Sequence, residues 1–325
     1  MSASLIIFML PLLFTLGSPL PGMAQKPAPT KDAPSPTKEG EENRQAEAEE
    51  TKRSTELFLR NQNVFLRKGE LMLELDSFYN RNSQETITPV PGGIAVARTT
   101  RRFFDNRAIA RYGILTDGLE VDVIAPFFVH AEQVTDFGVG QVNRQEDGIG
   151  DISGALRYQA WYERGSRPSI IFDVEGKSRT GGTGLTGTGN WGVGGGITLT
   201  KTIDPVVFFA RLGYTHNIAS GSRNLGDIID YRVGMGFSLN DRVSFTIQLN
   251  GAHIGASQFT VVGDIGGALG TAGKLVVTGR QIEVMNLLFT TTVLITKNFF
   301  VEPIVGVGLT ENSFAIVGIR FPYRF

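Results

Sequence analysis

The sequence contains no cysteine, only three histidines and two tryptophans, and no excess of either charge sign. The absence of cysteine excludes disulfides, thiolate metal sites and lipidated cysteine. Lys plus Arg number 31 against 32 Asp plus Glu, so the basic excess that marks a nucleic-acid binder is missing. The histidines, His130, His216 and His253, fall on separate predicted strands without a ligand spacing such as H-E-x-x-H. Long apolar runs are also missing from Gly69 onward. The longest, Val123–Val129, has seven residues, far short of the roughly 20 that a membrane-crossing helix needs. What the chain does have is glycine, 40 of its 325 residues, well above the usual share of about 7%.

The first residues read as an export signal over 1–24. Ser4–Gly17 is an apolar stretch broken by Pro11, and Gly22 and Ala24 place small residues before a cleavage point. No Lys or Arg precedes the run. Residues 25–40 hold Pro27, Pro29, Pro34 and Pro36 among Lys, Thr and Ser, an extended solvated linker. Residues 41–68 are charged and rich in helix formers. Apolar heptad positions are absent from Glu41–Arg60, so a coiled coil is excluded there and a short polar helix is predicted. A helix placed just before the first strand is a candidate plug.

From Gly69 to Phe325 the hydrophobic period is two. Leu71, Leu73 and Leu75 alternate with Met72, Glu74 and Asp76. Val243, Phe245, Ile247 and Leu249 alternate with Ser244, Thr246, Gln248 and Asn250. Val317, Ile319, Phe321, Tyr323 and Phe325 alternate with Gly318, Arg320, Pro322 and Arg324. Such segments recur about twelve times, many of them longer than the globular mode of about 5–6 residues. Roughly ten tilted residues cross an apolar layer of about 25 Å. The connections alternate as well. Short ones (Ile114–Gly118, Arg164–Arg167, Thr202–Pro205, Asn240–Asp241, Thr296–Asn298) interleave with longer ones (Arg81–Val96, Gln133–Asp147, Ser178–Gly189, Ala219–Gly226, Gly255–Thr278). Only the hairpin at Glu311–Asn312 breaks the rule. A soluble sandwich requires no such alternation, whereas outer-membrane barrels show it. The fold expected is therefore all-β: a twelve-stranded antiparallel transmembrane barrel over 69–325, with both ends on the periplasmic side of a Gram-negative outer membrane.

A sheet can span hydrocarbon only if it closes, because each backbone polar group then finds a partner. Its outer face meets lipid, and its inner face can carry charge. On that logic Glu74, Asp76, Asp122, Arg157, Asp173, Glu175, Arg211, Arg232 and Glu302 are predicted to line the lumen, their mixed signs pointing to cross-strand ion pairs. The terminal aromatics Phe321, Tyr323 and Phe325 match the signal by which the barrel-assembly machinery recognises its substrates. Other motifs count for less. Tyr214–His216 followed by Ser220 and Ser222 is a faint match to a barrel phospholipase, but a nucleophile and base must lie within about 3 Å. Gly176-Lys177-Ser178 imitates a phosphate loop inside a predicted strand, and Gly181–Gly189 reads as a flexible extracellular loop. No cofactor, no catalytic group and no nucleic-acid partner is expected. The expected role is an outer-membrane channel, foremost a gated pore with Glu41–Lys68 as a removable plug.

Arg111–Phe127, Gly148–Gln159 and Gly187–Asn217 resemble the MetA-pathway phenol-degradation family of outer-membrane barrels, over roughly residues 100–325. The segment Leu57–Arg81 is similar to one branch, the secretion pore of the Fap functional-amyloid system. That resemblance implies a twelve-stranded homotrimeric pore with a helical plug within 41–68 and a secreted polypeptide as cargo. Here the linker is short and lacks the heptad seam of that branch. The wider family implies uptake of a hydrophobic or aromatic small molecule.

Overall fold

The computed structural model describes residues 65–325 apart from 91–92, 139, 183, 220–222 and 265–271. The expected export signal 1–24, the linker 25–40 and residues 41–64 of the expected helix lie outside the described residues. Residues 65–68 are described, and they correct the end of that helix: Phe65–Arg67 have no regular structure and Lys68 is in a turn. The reason is local. The N–H groups of Leu66, Arg67 and Lys68 donate to the carboxylates of Glu120, Glu70 and Asp117 at 3.0, 2.7 and 3.0 Å, not to carbonyls a turn earlier. Among the described residues there is no helix.

The regular structure is strand: β1 (Leu71–Val90), β2 (Gly93–Gly113), β3 (Leu119–Asp136), β4 (Gln141–Gly148), β5 (Ser153–Trp161), β6 (Ser169–Lys177), β7 (Trp191–Ile203), β8 (Val206–Ile218), β9 (Arg223–Asn224), β10 (Ile228–Ser238), β11 (Val243–Ile254), β12 (Gln258–Asp264), β13 (Ala272–Thr278), β14 (Ile282–Thr296), β15 (Phe299–Gly308) and β16 (Ala315–Arg324). Twelve of them close an antiparallel barrel in the order β1-β2-β3-β5-β6-β7-β8-β10-β11-β14-β15-β16. β1 and β16 complete the ring from Met72 opposite Arg324 to Arg81 opposite Ala315. Closure gives each wall strand a partner on both sides, so no open edge is left to bind another chain.

Strand pairing beyond the barrel wall corrects three of the expected loops. Arg81–Val96 is not a loop, because β1 and β2 stay paired to Val90 opposite Gly93. Gln133–Asp147 is largely strand, with β4 laddered onto the far half of β3 from Val129 to Asp136. Gly255–Thr278 contains the β12–β13 hairpin, which joins β9 in a small separate sheet. In each segment the chain keeps a partner after leaving the barrel wall, which satisfies its backbone groups. The short turns and both ends of the described chain lie at one end of the barrel. At that end Gly118 adopts φ +95°, and a Cβ there would meet the Tyr162 hydroxyl at 2.6 Å.

The two-residue period sorts the wall into two faces. On β1, Glu74 and Asp76 are 5% and 4% exposed, whereas Leu73 and Leu75 are 42% and 56% exposed. β14, whose sequence left its register open, turns Leu288, Thr290 and Thr292 inward and Phe289 outward. Outward aromatics cluster toward both ends: Tyr112, Tyr158 and Tyr323 toward the short turns, and Tyr79, Trp191 and Tyr214 toward the opposite end. Much of the glycine is explained by cross-strand packing. Gly318 lies opposite Phe78 and Gly234 opposite Phe209. A Cβ at either glycine would come within 2.2 or 2.3 Å of the ring. Glycine thus makes room for inward aromatics across the ladder.

Candidate functional site in the barrel interior

Three arginines organise the interior carboxylates. Arg320 on β16 reaches Glu74 at 3.8 Å, Asp76 at 3.7 Å and Glu302 at 3.7 Å, each from a different wall position. Thr292 donates to Glu302 at 3.0 Å from the neighbouring strand. Arg157 on β5 reaches Glu120 at 3.1 Å and Asp122 at 3.5 Å. Arg211 on β8 meets Asp173 at 2.8 Å, Glu175 at 3.6 Å and Asp230 in a closer pair. Thr215 donates to the same Glu175 at 2.8 Å. Sharing one guanidinium among two or three carboxylates suits its fork of five donors. Phe78 is buried beneath two guanidiniums, those of Arg107 at 5.3 Å and Arg320 at 5.6 Å from its centroid.

Of the nine charges named from sequence, eight enter these clusters: Glu74, Asp76 and Glu302 with Arg320, Asp122 with Arg157, and Asp173 and Glu175 with Arg211. Arg232 stands apart from all three. It borders a cavity of about 430 Å³ with Arg111, Asp122, Arg157, Asp173 and Arg211. Sequence reasoning had not singled out Glu120, Arg111, Asp230 or Arg320. The signal was present for two of them, because Glu120 has the strand parity of Asp122 and Asp230 that of Arg232, and Arg320 alternates with the outward Ile319 and Phe321. Phe321 and Tyr323 lie on the outward side of β16, 36% and 40% exposed, and Phe325, just past its end, is 63% exposed. The rings of Tyr323 and Phe325 are 4.7 Å apart, and the Phe325 N–H donates to the Leu71 carbonyl at 2.8 Å.

At the short-turn end, Phe65 and Leu66 are buried at 8% and 3% exposure. They border a second cavity of about 430 Å³ with Ile171, Val207 and Phe209. Arg157 lies 5.4 Å from the Phe65 centroid. The chain therefore enters the barrel just before β1. Beside it, Glu70 is held below the usual carboxylate range. Its burial alone would raise it, and the Arg67 N–H and the Arg324 guanidinium outweigh that effect.

At the opposite end, the described residues of the loop 178–190, expected to be flexible, are tied by hydrogen bonds to the chain before β5. Asp151 accepts from the Gly181 N–H at 3.0 Å, the Thr188 N–H at 2.9 Å and the Thr188 hydroxyl at 2.6 Å. Glu146 accepts from the Leu185 N–H at 2.7 Å. A Cβ on Gly187 would lie 2.4 Å from the Gly181 backbone, so the glycines allow close packing of the loop on itself. Leu185–Thr188 border a cavity of about 310 Å³ with Asn80, Phe103, Pro126 and Val129, so the loop reaches from β6 and β7 to β1–β3.

The histidines remain apart. His216 pairs with Asp227 at 2.8 Å and His253 with Glu283 at 3.6 Å, while His130 pairs with Asp147. The serines once considered for His216, Ser220 and Ser222, lie outside the described residues. Asp227, in the loop after β8, is held below its usual range by the Tyr214 hydroxyl, then by the Asn217 N–H and His216, against a small opposing effect of burial. Among the described residues no cluster of His, Asp and Glu could hold a metal ion.

No family model matches the chain. Among solved structures it is similar to an outer membrane channel from Pseudomonas putida F1. The TM-score is 0.56 at 14% identity, with 81% of this chain and 98% of the other covered. The translocator domain of the autotransporter NalP from Neisseria meningitidis aligns with a TM-score of 0.44 at 10% identity, covering 87% of this chain and 97% of that domain. The first likeness defines the class of fold, a twelve-stranded antiparallel barrel of the outer-membrane type.

Proposed function

We propose that the chain is a Gram-negative outer-membrane channel for small solutes, with the short-turn end in the periplasm and the chain before β1 seated in that mouth. The observation that carries this reading is the sorting of the closed wall. Apolar side chains lie outside between two aromatic bands, and ion-paired carboxylates and arginines lie inside around cavities. Lipid wets the first face, and water and solute meet the second. The outward aromatics Phe321, Tyr323 and Phe325 are the proposed contact for the barrel-assembly machinery.

The size of the interior supports a small cargo. Cavities of about 430 Å³ fall within the range of roughly 300–1,000 Å³ typical of small-molecule sites. The similarity of Leu57–Arg81 to an amyloid-secretion pore supports a second reading, in which the cargo is an unfolded polypeptide. Passage would then require both Phe65–Leu66 and the pinned loop 178–190 to leave the lumen. Single-channel recording of the full chain against one lacking residues 25–66 tests the occlusion. The shortened chain is expected to conduct more, and equal low conductance in both removes the plug. Uptake of a small aromatic solute by cells with and without the gene separates the two cargo readings.

A further inference from the structure

The interior ion pairs do not come out even. The cavity shared by β2 through β10 is lined by five cationic side chains and four carboxylates. All four carboxylates are already engaged. Asp122 pairs with Arg157, and Asp173, Glu175 and Asp230 pair with Arg211. Lys177 at the rim is held by the Thr188 hydroxyl at 2.8 Å and lies 3.9 Å from Asp151. Two guanidiniums are left over. Among the described residues, neither Arg111 nor Arg232 makes an ion pair within 4.0 Å, and Arg111 Nε is buried without a hydrogen-bond partner.

The register adds to the imbalance at Arg232 alone, since Arg111 lies directly opposite Asp122 on β3, a carboxylate that Arg157 already engages. Arg232 lies directly opposite Arg211 on β8 and opposite neutral Asn250 on β11. Like charges directly across a ladder repel, and a guanidinium in a confined lumen is costly without a counter-charge. Arg111 and Arg232 also come from opposite walls, since β2 and β10 are six strands apart in the ring of twelve. They border one cavity whose lining also includes Ile124, Phe209 and Ile228.

We propose that this cavity is a binding site for a small organic carboxylate, held by Arg232 and Arg111 from opposite sides of the lumen with its apolar body against Phe209 and Ile228. The planar fork of a guanidinium matches a carboxylate. The site gives the channel a preferred solute class, small organic anions, and in that respect it rests on the channel reading above. The binding itself does not depend on conduction.

The test is calorimetric titration of sodium benzoate into the full chain in detergent, with benzyl alcohol as the uncharged control of similar size. Benzoate is expected to bind, and benzyl alcohol to bind at least about tenfold more weakly, as expected for loss of a charge-assisted hydrogen bond. Arg232→Gln is expected to weaken benzoate by about tenfold, and Arg232→Lys to recover part of the loss. Heat-modifiable gel mobility checks that each variant is folded. Equal binding of the two probes, no benzoate binding, or an undiminished Arg232→Gln variant would overturn the site. The wild-type comparison decides the matter even if a variant does not fold. Benzoate binding without conductance removes the channel reading and keeps the site, and conductance without benzoate binding does the reverse.

Discussion

Two arcs of the barrel interior solve the same problem with different side chains. Along β3, β5, β6, β8 and β10 the inner face carries long charged groups gathered around Arg157 and Arg211. Along β11 and β14 it carries Ser244, Thr246, Thr290 and Thr292, all nearly without exposure. Small hydroxyls lie close to the wall and satisfy themselves with a single neighbour, as Thr292 does with Glu302. Charged groups reach into the lumen and must share partners. The difference lies in the consequence of a loss. Removing one arginine strands several carboxylates, whereas removing one hydroxyl strands at most one acceptor.

The sharpest way to break this comparison is Arg211→Ala. It leaves Asp173, Glu175 and Asp230 without their cation, and a destabilisation of about 3 kcal/mol is expected. The measurement is the urea midpoint of the gel-mobility transition in detergent. An unchanged midpoint would mean that lumen water satisfies the carboxylates, and the two arcs would then be equivalent. A smaller effect separates residues within the hydroxyl arc. Thr292→Val should cost about 1 kcal/mol because it removes a donor from buried Glu302. Ser244→Ala, at a nearly buried hydroxyl across the ladder from Thr292, should stay within about 0.5 kcal/mol. Equal costs would show that packing rather than the Glu302 bond sets the value.

The smallest effect concerns a loop outside both arcs and depends on pH. A carboxylate held below its usual range stabilises the folded state fully above the ordinary aspartate value of about 3.9, and that contribution is lost as pH falls through the lower folded value. Asp227 ties the loop after β8 to Tyr214, His216 and Asn217. The exchange of the Asn217 amide relative to its intrinsic rate at each pH is therefore expected to be unchanged from neutral pH down to about 4 and to accelerate below it. In Asp227→Asn that acceleration should vanish. If the variant keeps the same profile, another group governs the loop.

The barrel was largely legible because its signal is repeated. A two-residue period recurring along Leu71–Arg324, with turn residues at alternating spacing, leaves little else for the chain to form. The misreadings came where pairing continued beyond the wall. Arg81–Val96 is polar and breaks the apolar alternation, so nothing local marks it as strand, yet β2 supplies a ladder to Val90. Gly181–Gly189 has the composition of a mobile loop, and the carboxylates of Asp151 and Glu146 that its described residues bond to come from elsewhere in the chain. In the interior, strand parity put the charges on one face but could not pair them. Arg320 meets Glu74 because the last strand closes on the first, a separation that no local pattern reports.

By itself the sequence determined which side chains share a face, since alternation along an extended chain is a matter of local geometry. It also settled that one face is greasy and the other charged. Only the tertiary structure decided which charges meet, because ring closure and register set neighbours across long stretches of sequence. The same closure brought Arg111 and Arg232 to one cavity from opposite walls, neither in an ion pair within 4.0 Å among the described residues, a meeting that exists only once the sheet has become a cylinder.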